Sequence, residues 1–142
     1  MIRKATPADI PHILDMYKAA ITELGEEYTE SFLLKKIVNS YHLAPCFLLV
    51  LDDTIWGMAG LTSVTMPHNG KAMLSDYIFY VQPEHRSLPN LSDLVESAKA
   101  FAKELDLPLR LDFVVNGDQK IRERLLKMHG FKIESIVGVY NG

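Results

Sequence analysis

The sequence contains a single cysteine, Cys46, among its 142 residues. One cysteine cannot form a disulfide within the chain, and a structural zinc site of the usual cysteine-rich kind is excluded. Long apolar runs are also missing, because the longest are short segments such as residues 47–51. The first residues lack the apolar core of a signal peptide. We therefore expect a soluble, reduced, cytoplasmic protein with no membrane partner.

The chain also lacks a large excess of charge of either sign. The net charge is −3 and no block of like charges stands out, so the broad basic footprint of a nucleic-acid-binding protein is missing. We expect no nucleic-acid partner, although a local basic groove is compatible with this balance. The histidines share no ligand-type spacing, so we expect no metal site. They are His12, His42, His68, His85 and His129.

The length and the hydrophobic fraction of 48% fit one globular domain over residues 1–142. Apolar residues at helical spacing predict four helices, and short apolar runs between turn residues predict six strands. The helices are expected at residues 6–21, 29–41, 91–105 and 121–128. The strands are expected at residues 2–5, 46–51, 55–65, 72–81, 109–115 and 131–140. The predicted order is β, α, α, β, β, β, α, β, α, β.

Turn residues indicate how the strands pair. Asp52-Asp53-Thr54 and the Asn69-Gly70 pair predict two hairpins, so the strands they join should be antiparallel. The strand–helix–strand unit over residues 72–115 should be a right-handed parallel crossover. The predicted fold class is therefore α/β, or α+β, with a mixed sheet that carries helices on both faces.

Three segments resemble the GNAT superfamily of N-acyltransferases, and together they span nearly the whole chain. They are residues 2–9, which read IRKATPAD, residues 79–86, which read FYVQPEHR, and residues 125–131, which end in Met-His-Gly-Phe. The resemblance implies a GNAT-like acyl-CoA N-acyltransferase fold. It also implies that acetyl-CoA donates an acetyl group to a primary amine by direct attack in a ternary complex. Homodimers are common in this family.

The resemblance further implies which residues hold acyl-CoA. Main-chain groups of Phe79, Tyr80 and Val81 would bind the pantetheine arm, and an amide near Val81 would polarise the thioester carbonyl. The following loop and helix N-terminus would hold the pyrophosphate, with Arg86 as a charged donor beside it. Further amides and polar groups come from Ser87, Leu88, Asn90 and Leu91, and Gln119 stands where the family has an asparagine.

The chain departs from the family pattern at three positions. Pro89 and Leu91 replace the usual small residues of the pyrophosphate loop, and Pro89 has no N–H to donate. Leu126 stands at the position of the usual catalytic tyrosine and cannot protonate a thiolate. These departures motivate an alternative, in which the chain is a catalytically inactive GNAT-like domain that binds a protein partner or acyl-CoA.

Candidate acid–base groups project from two predicted strands. Phe79, Tyr77 and Ser75 alternate along one strand and are expected on one face. Tyr77 is the first choice as proton donor to the thiolate, with Ser75 as a second polar group. Alternatively, Tyr77 packs under the first helices. Asp112 could accept the proton of the attacking ammonium or pair with Arg110.

The last predicted helix carries a basic stretch. Its cations are either a solvated face or contacts to the 3′-phosphate of CoA, and its apolar side is expected at Ile121, Leu125 and Met128. The cations are Lys120, Arg122, Arg124 and Lys127.

Overall fold

The computed structural model describes residues 1–41, 47–51, 54–112, 119–133 and 140. The strands are β1 (Ile2–Lys4), β2 (Phe47–Leu51), β3 (Thr54–Thr65), β4 (Ala72–Val81) and β5 (Leu109–Arg110). The helices are α1 (Ile10–Glu23), α2 (Glu30–Tyr41), α3 (Leu88–Glu104) and α4 (Gln119–Met128), with short 3₁₀ turns at Pro7–Asp9 and Pro83–His85. None of these helices is long and apolar enough to cross a membrane.

The five described strands form one mixed sheet in the order β1-β2-β3-β4-β5. Neighbours from β1 to β4 are antiparallel, and β4 pairs with β5 in parallel. The predicted α/β class and the predicted parallel pairing across residues 72–115 are confirmed. Several predicted features lie outside the described residues: Cys46, His42, the Asp52-Asp53 turn, residues 113–115 of the fifth strand, and residues 134–139 of the closing strand.

Local chemistry explains the entry to α1. Both terminal nitrogens of Arg3 donate to the Asp9 carboxylate, at 2.8 and 2.9 Å, and the Thr6 N–H donates to it at 2.8 Å. These charged hydrogen bonds hold the pKa of Asp9 well below its ordinary range. The carboxylate thus links the end of β1 to the turn that starts α1.

The sheet separates two apolar layers. On one face, α3 and α4 pack over Leu74, Phe79 and Val81 of β4. On the other face, α1 and α2 pack over Tyr77, Ile78 and Tyr80. The helices thus cover both faces of the same central strand, and β4 lies between two apolar layers.

The apolar side of α4 differs from the prediction. Leu125 and Leu126 are buried, whereas Ile121 and Met128 are 49% and 54% exposed. Position 126 therefore contributes to the core beside α3. The buried side of α4 is therefore rotated relative to the predicted one. The sequence of α4 has apolar residues on two adjoining sides, and the contact with α3 and the sheet determines which side is buried.

Candidate functional site

The parallel pairing of β4 and β5 is short. Their described register contains two pairs, Leu74 with Leu109 and Ser75 with Arg110. One residue later the Asp76 carboxylate accepts the Asp112 N–H at 2.7 Å, in place of a main-chain acceptor. Asp76 is 3% exposed. Within the described residues the main-chain pairing of β4 with β5 therefore ends before Asp76, and residues 113–118, which follow Asp112, lie outside the described part of the structure.

A β-bulge at Tyr77 follows directly. Gly60 pairs with Ile78, but the next residue, Leu61, pairs with Asp76, which leaves Tyr77 as the extra residue of β4. The predicted common face of Phe79, Tyr77 and Ser75 is therefore wrong. Phe79 packs in the layer of α3 and α4, whereas Tyr77 packs in the layer of α1 and α2. An extra residue reverses the alternation of side chains, and composition does not reveal it.

The main chain of β4 beyond the bulge faces alternate edges. The Gln82 N–H donates to the Trp56 carbonyl on β3, at 2.9 Å. By alternation, the N–H and C=O groups of Val81 and Phe79 point to the edge of β4 opposite β3, while those of Tyr80 point toward β3. Two of the three residues predicted to offer main-chain groups thus point away from β3, and Tyr80 uses its main chain within the sheet.

The phenol ring of Tyr77 lies flat against β3 because residue 60 is glycine. A Cβ at Gly60 would come within 2.7 Å of the Tyr77 Cε1 and hydroxyl oxygen, and closer still to Cζ. Tyr17 of α1 contacts the other side, with ring centroids 5.8 Å apart, and the Lys36 ammonium lies 5.9 Å from the ring centroid. Burial raises the pKa of the Tyr17 phenol above its ordinary value. Tyr77 is therefore packed under the first helices. The role of its hydroxyl as proton donor stays a prediction.

Ser75 lies one side-chain position earlier on the same side of β4 as Tyr77, by alternation from Leu74. It is 3% exposed. Its hydroxyl contacts the Asp76 carbonyl at 3.5 Å, which is a long hydrogen bond. Ser75 and Tyr77 thus both lie on the α1–α2 side of β4 and are buried.

Arg86 braces the loop after β4. Its Nε donates to the Val81 carbonyl at 2.7 Å, and its terminal nitrogen pairs with the Glu23 carboxylate of α1 at 2.6 Å. The guanidinium also lies 5.4 Å from the Tyr80 ring, whose pKa is raised by burial and by Glu23. The Arg86 guanidinium therefore connects the end of β4 to α1, whereas the sequence predicted that it would lie beside a pyrophosphate.

Most backbone N–H groups in the first turn of α3 are hydrogen-bonded within the chain. The Asn90 N–H donates to the Ser87 hydroxyl at 3.3 Å, and the Leu91 N–H donates to the Ser87 carbonyl at 3.0 Å. The Asn90 side-chain amide donates to the His85 carbonyl at 2.8 Å. Within the described chain, Leu88 is the first-turn residue whose N–H has no hydrogen-bond partner. Its side chain is 46% exposed, whereas Leu91 is buried in the core.

The ring of His85 stacks on the ring of Trp56, with centroids 3.6 Å apart and planes 4° from parallel. Trp56 lies in β3, next to the residue that pairs with Val81. The stack therefore holds the 3₁₀ turn that follows β4 against the sheet.

Asp112 lies two residues after the end of β5, where its N–H donates to Asp76. Its carboxylate pairs with the Arg110 Nε at 3.1 Å, and both side chains are about half exposed. The structural alternative predicted for Asp112, a pair with Arg110, is therefore present. Gln119 begins α4, but its side chain lies outside the described part of the structure.

The basic residues of α4 divide into two groups. Lys120, Arg124 and Lys127 line an open surface groove of about 520 Å³. Arg122 points elsewhere, toward the end of β5, where its terminal nitrogen lies 3.4 Å from the Asp112 carbonyl. The predicted basic stretch is thus not one surface.

A hydrogen-bonded cluster links α3 to the end of α4. One His129 ring nitrogen contacts the Glu96 carboxylate at 2.5 Å, and the other contacts the Ser92 hydroxyl at 3.0 Å. Lys99 donates to Glu96 at 3.2 Å and to the His129 carbonyl at 2.8 Å. The bond from His129 and then that from Lys99 lower the pKa of Glu96. In the described part of the chain, no group of three or more His, Cys, Asp or Glu side chains could hold a metal ion.

Sequence reasoning missed Asp76, Gly60 and Arg122. Asp76 carried a usable signal, because it is the one charged residue in an otherwise apolar or neutral strand over Ala72–Val81. Gly60 interrupts a strand interior, which often marks a close approach of another group. The position of Arg122 had no separate signal, since it stands among other cations on the same helix.

No protein-family model and no curated protein sequence matches the chain. Solved structures do match, over nearly the full length of both chains. A predicted acetyltransferase from Clostridium acetobutylicum, solved with acetyl-CoA, has a TM-score of 0.78 at 18% identity, over 99% of this chain and 95% of that chain. An aminoglycoside 6′-N-acetyltransferase from Acinetobacter haemolyticus has a TM-score of 0.73 at 18% identity, over 100% and 97%.

A GNAT family acetyltransferase from Staphylococcus aureus has a TM-score of 0.64 at 16% identity, over 100% of this chain and 97% of that chain. Identities this low establish the fold and leave the activity to be argued from the site. The mixed sheet, the bulged central strand and the full-length structural matches agree: the chain has the fold of the GNAT acetyltransferases.

Proposed function

We propose that the protein is an N-acetyltransferase that transfers an acetyl group from acetyl-CoA to a primary amine. The observation that carries this proposal is the edge of β4 beyond Asp76, where the main-chain groups of Phe79 and the N–H of Val81 point away from β3. This edge leads to the loop that precedes the N-terminus of α3. Structural neighbours include an acetyltransferase solved with acetyl-CoA and an aminoglycoside N-acetyltransferase, which supports an acyl donor of this kind and an amine acceptor.

The residues present fit acetyl-CoA in part. The N–H and C=O of Phe79 and the N–H of Val81 could bond to an extended amide-containing arm, and the free Leu88 N–H at a helix start favours an anion. Arg86 is held by Glu23 and by the Val81 carbonyl, so it supports the end of β4 rather than the phosphates. The thioester would supply the activated acetyl group.

The chain's own groups would then position two reactants and stabilise charge. An amide donor at Phe79 or Val81 would stabilise the negative charge that develops on the carbonyl oxygen. A neutral amine would attack from the α1–α2 side, which Tyr77 and Ser75 border. Asp112 or water would take the ammonium proton, and Tyr77 stays the predicted donor of a proton to sulfur. A homodimer and the identity of the amine stay predictions.

A second candidate function is an inactive GNAT-like domain that binds a protein partner or an acyl-CoA. The specific observation in its favour is that most N–H groups in the first turn of α3 are unavailable to a ligand. Its donors at Asn90 and Leu91 are bonded within the chain, and Pro89 has none. A pyrophosphate would therefore meet fewer free amides than a glycine-rich loop provides.

Calorimetric titration with acetyl-CoA and with CoA tests the proposal. Micromolar or tighter binding is expected, followed by release of CoA when primary amines are screened. Leu88→Pro removes the free N–H at the first helical position, where proline is tolerated, and should weaken CoA about tenfold or more. Leu88→Ala is the matched control, because it removes the exposed side chain and keeps the N–H. No binding of either ligand to the wild-type protein would refute the acetyltransferase and favour the inactive domain.

A further inference from the structure

Arg86 is a cation at the end of β4 that a carboxylate of a distant segment already binds. Its Nε donates to the Val81 carbonyl at 2.7 Å, and its terminal nitrogen pairs with the Glu23 carboxylate at 2.6 Å. The side chains of Arg86 and Glu23 are 20% and 30% exposed. Because solvent reaches both partners, an anion arriving from solution can also reach this ion pair.

Glu23 is the last residue of α1, where a carboxylate opposes the helix dipole. The last four residues of α1, Ala20 to Glu23, contain no basic side chain that would offset this charge. The helix ends at Gly25, which has a φ of 74° and whose N–H donates to the Thr22 carbonyl at 3.0 Å. Arg86, 63 positions later in the chain, therefore supplies the cation that the end of α1 lacks.

The same arginine stands next to the start of α3. Arg86 directly precedes Ser87, the N-cap of α3, and Leu88 follows with an N–H that no described residue accepts. A helix start with a free N–H favours an anion. Carboxylate and phosphate are the two anions that the fork of guanidinium donors fits, so the two would compete for one arginine.

We propose that Glu23 is a positioning residue that competes with the phosphates of CoA for Arg86, an inference that rests on the proposed acetyltransferase function. In the structure, the carboxylate holds the guanidinium against α1. A phosphate at the start of α3 would draw the guanidinium away from Glu23, so that one ion pair replaces another and no covalent bond changes. The donor then binds less tightly than it would to an arginine without a partner, and its arrival releases the end of α1.

A second carboxylate lies near the same arginine. Burial raises the pKa of the Tyr80 phenol, and the carboxylates of Glu23 and Glu84 raise it further, whereas Arg86 lowers it. The guanidinium lies 5.4 Å from the centroid of this ring. Of the two carboxylates, Glu23 is the one that forms an ion pair with Arg86 in the described structure, so it is the one to remove.

Calorimetric titration of Glu23→Gln with CoA tests the competition. The substitution removes the competing charge and keeps a side chain of similar size, so CoA should bind about three to ten times more tightly than to the wild type. Glu27→Gln is the matched control, because it removes an exposed carboxylate from the segment that follows α1, and its affinity should equal that of the wild type. Unchanged or weaker binding of CoA to Glu23→Gln would overturn the proposal.

A double-mutant cycle with Arg86→Gln identifies the partner for which the two anions compete. Once the guanidinium is gone, adding Glu23→Gln should leave the CoA affinity as it is in Arg86→Gln alone. An equal gain with and without the guanidinium would mean that Glu23 repels CoA directly, which contradicts competition for Arg86. If Arg86→Gln does not fold, as judged by circular dichroism, Arg86→Lys takes its place. Glu23→Gln should then give a smaller gain, since lysine lacks the fork of donors.

Hydrogen exchange at the end of α1 shows whether the ion pair opens when CoA binds. The N–H groups of Gly25 and Glu26 are protected by hydrogen bonds to α1 carbonyls, at 3.0 and 3.2 Å. In the wild type, both amides should exchange faster with CoA bound, because Glu23 has lost the cation that offset its charge. In Glu23→Gln, CoA should change their exchange little. Equal rates in the wild type with and without CoA would mean that the ion pair persists, and the proposal would fail.

The outcomes separate the two proposals. If CoA binds neither the wild type nor Glu23→Gln, the acetyltransferase is refuted and the competition with it. If CoA binds the two proteins equally, the acetyltransferase stands and the role of Glu23 is refuted. Binding to Glu23→Gln alone, or clearly tighter binding to it, supports both.

Discussion

Gly60→Ala is the substitution that tests how the bulged strand is held. The new Cβ would lie 2.7 Å from the Tyr77 Cε1 and hydroxyl oxygen, whereas ordinary contacts begin at 3.4 Å. The Tyr77 ring would have to move away from β3. It is 6% exposed and contacts Tyr17 on α1, so it has no open space to enter.

Two effects of opposite sign determine the magnitude. Overpacking a filled core costs about 1–3 kcal/mol of unfolding free energy. Replacing glycine by alanine reduces the entropy of the unfolded chain, which stabilises by about 0.4–1 kcal/mol. The packing cost is larger, so we expect a net loss of about 1–2 kcal/mol and a fall in Tm of about 3–8 °C.

Urea denaturation of a double-mutant cycle measures the clash itself. Tyr77→Ala alone should cost about 3–5 kcal/mol, because a large buried ring is lost. In the Gly60→Ala background it should cost about 1–2 kcal/mol less, since the ring that clashes is gone. Tyr77→Phe is the matched control: it leaves Cζ and Cε1 in place, so Gly60→Ala should remain costly beside it. Additive free energies for Gly60→Ala and Tyr77→Ala would refute the argument.

Two further predictions concern Tyr77 and Asp9. Tyr77→Phe should reduce turnover about 100-fold while circular dichroism and the urea midpoint stay close to the wild type, and an unchanged rate would remove the phenol from the mechanism. Asp9→Asn should cost about 1–2 kcal/mol at neutral pH, a figure kept low because Arg3 is 37% exposed. The folded pKa of Asp9 is lowered, so its contribution is present above about pH 4 and is lost as the pH falls toward the folded value. Wild type and Asp9→Asn should therefore converge in stability at acid pH, and a constant difference between their urea midpoints down to pH 2 would contradict this.

Much of the fold could be predicted because it is encoded locally. The predicted bounds of β4, residues 72–81, agree with those in the structure, and the Asn69-Gly70 pair does form the expected turn, in which Gly70 has a φ of 69°. Thr6, Pro7 and Asp9 similarly mark the start of the α1 region through interactions that span six residues or fewer.

The candidate site was predicted less well, because its geometry depends on contacts between distant segments. Arg86 was expected beside a phosphate, yet Glu23, 63 positions earlier, draws its guanidinium to α1. A loop motif gives the position of an arginine in the sequence. It does not include the distant carboxylate that determines the orientation of the guanidinium.

The sequence alone determined the order of the described helices and strands and the turn that joins β3 to β4, because both depend on periodicity or on short-range hydrogen bonds, and three of its segments carry the resemblance to the GNAT superfamily. The tertiary structure alone decided the bulge at Tyr77, the hydrogen bond from the Asp112 N–H to Asp76, and the direction of Arg122. These features arise where one strand meets groups from β3, β5 and α4 at once. Their energies belong to packing and to buried charge, which are defined only when distant residues come into contact.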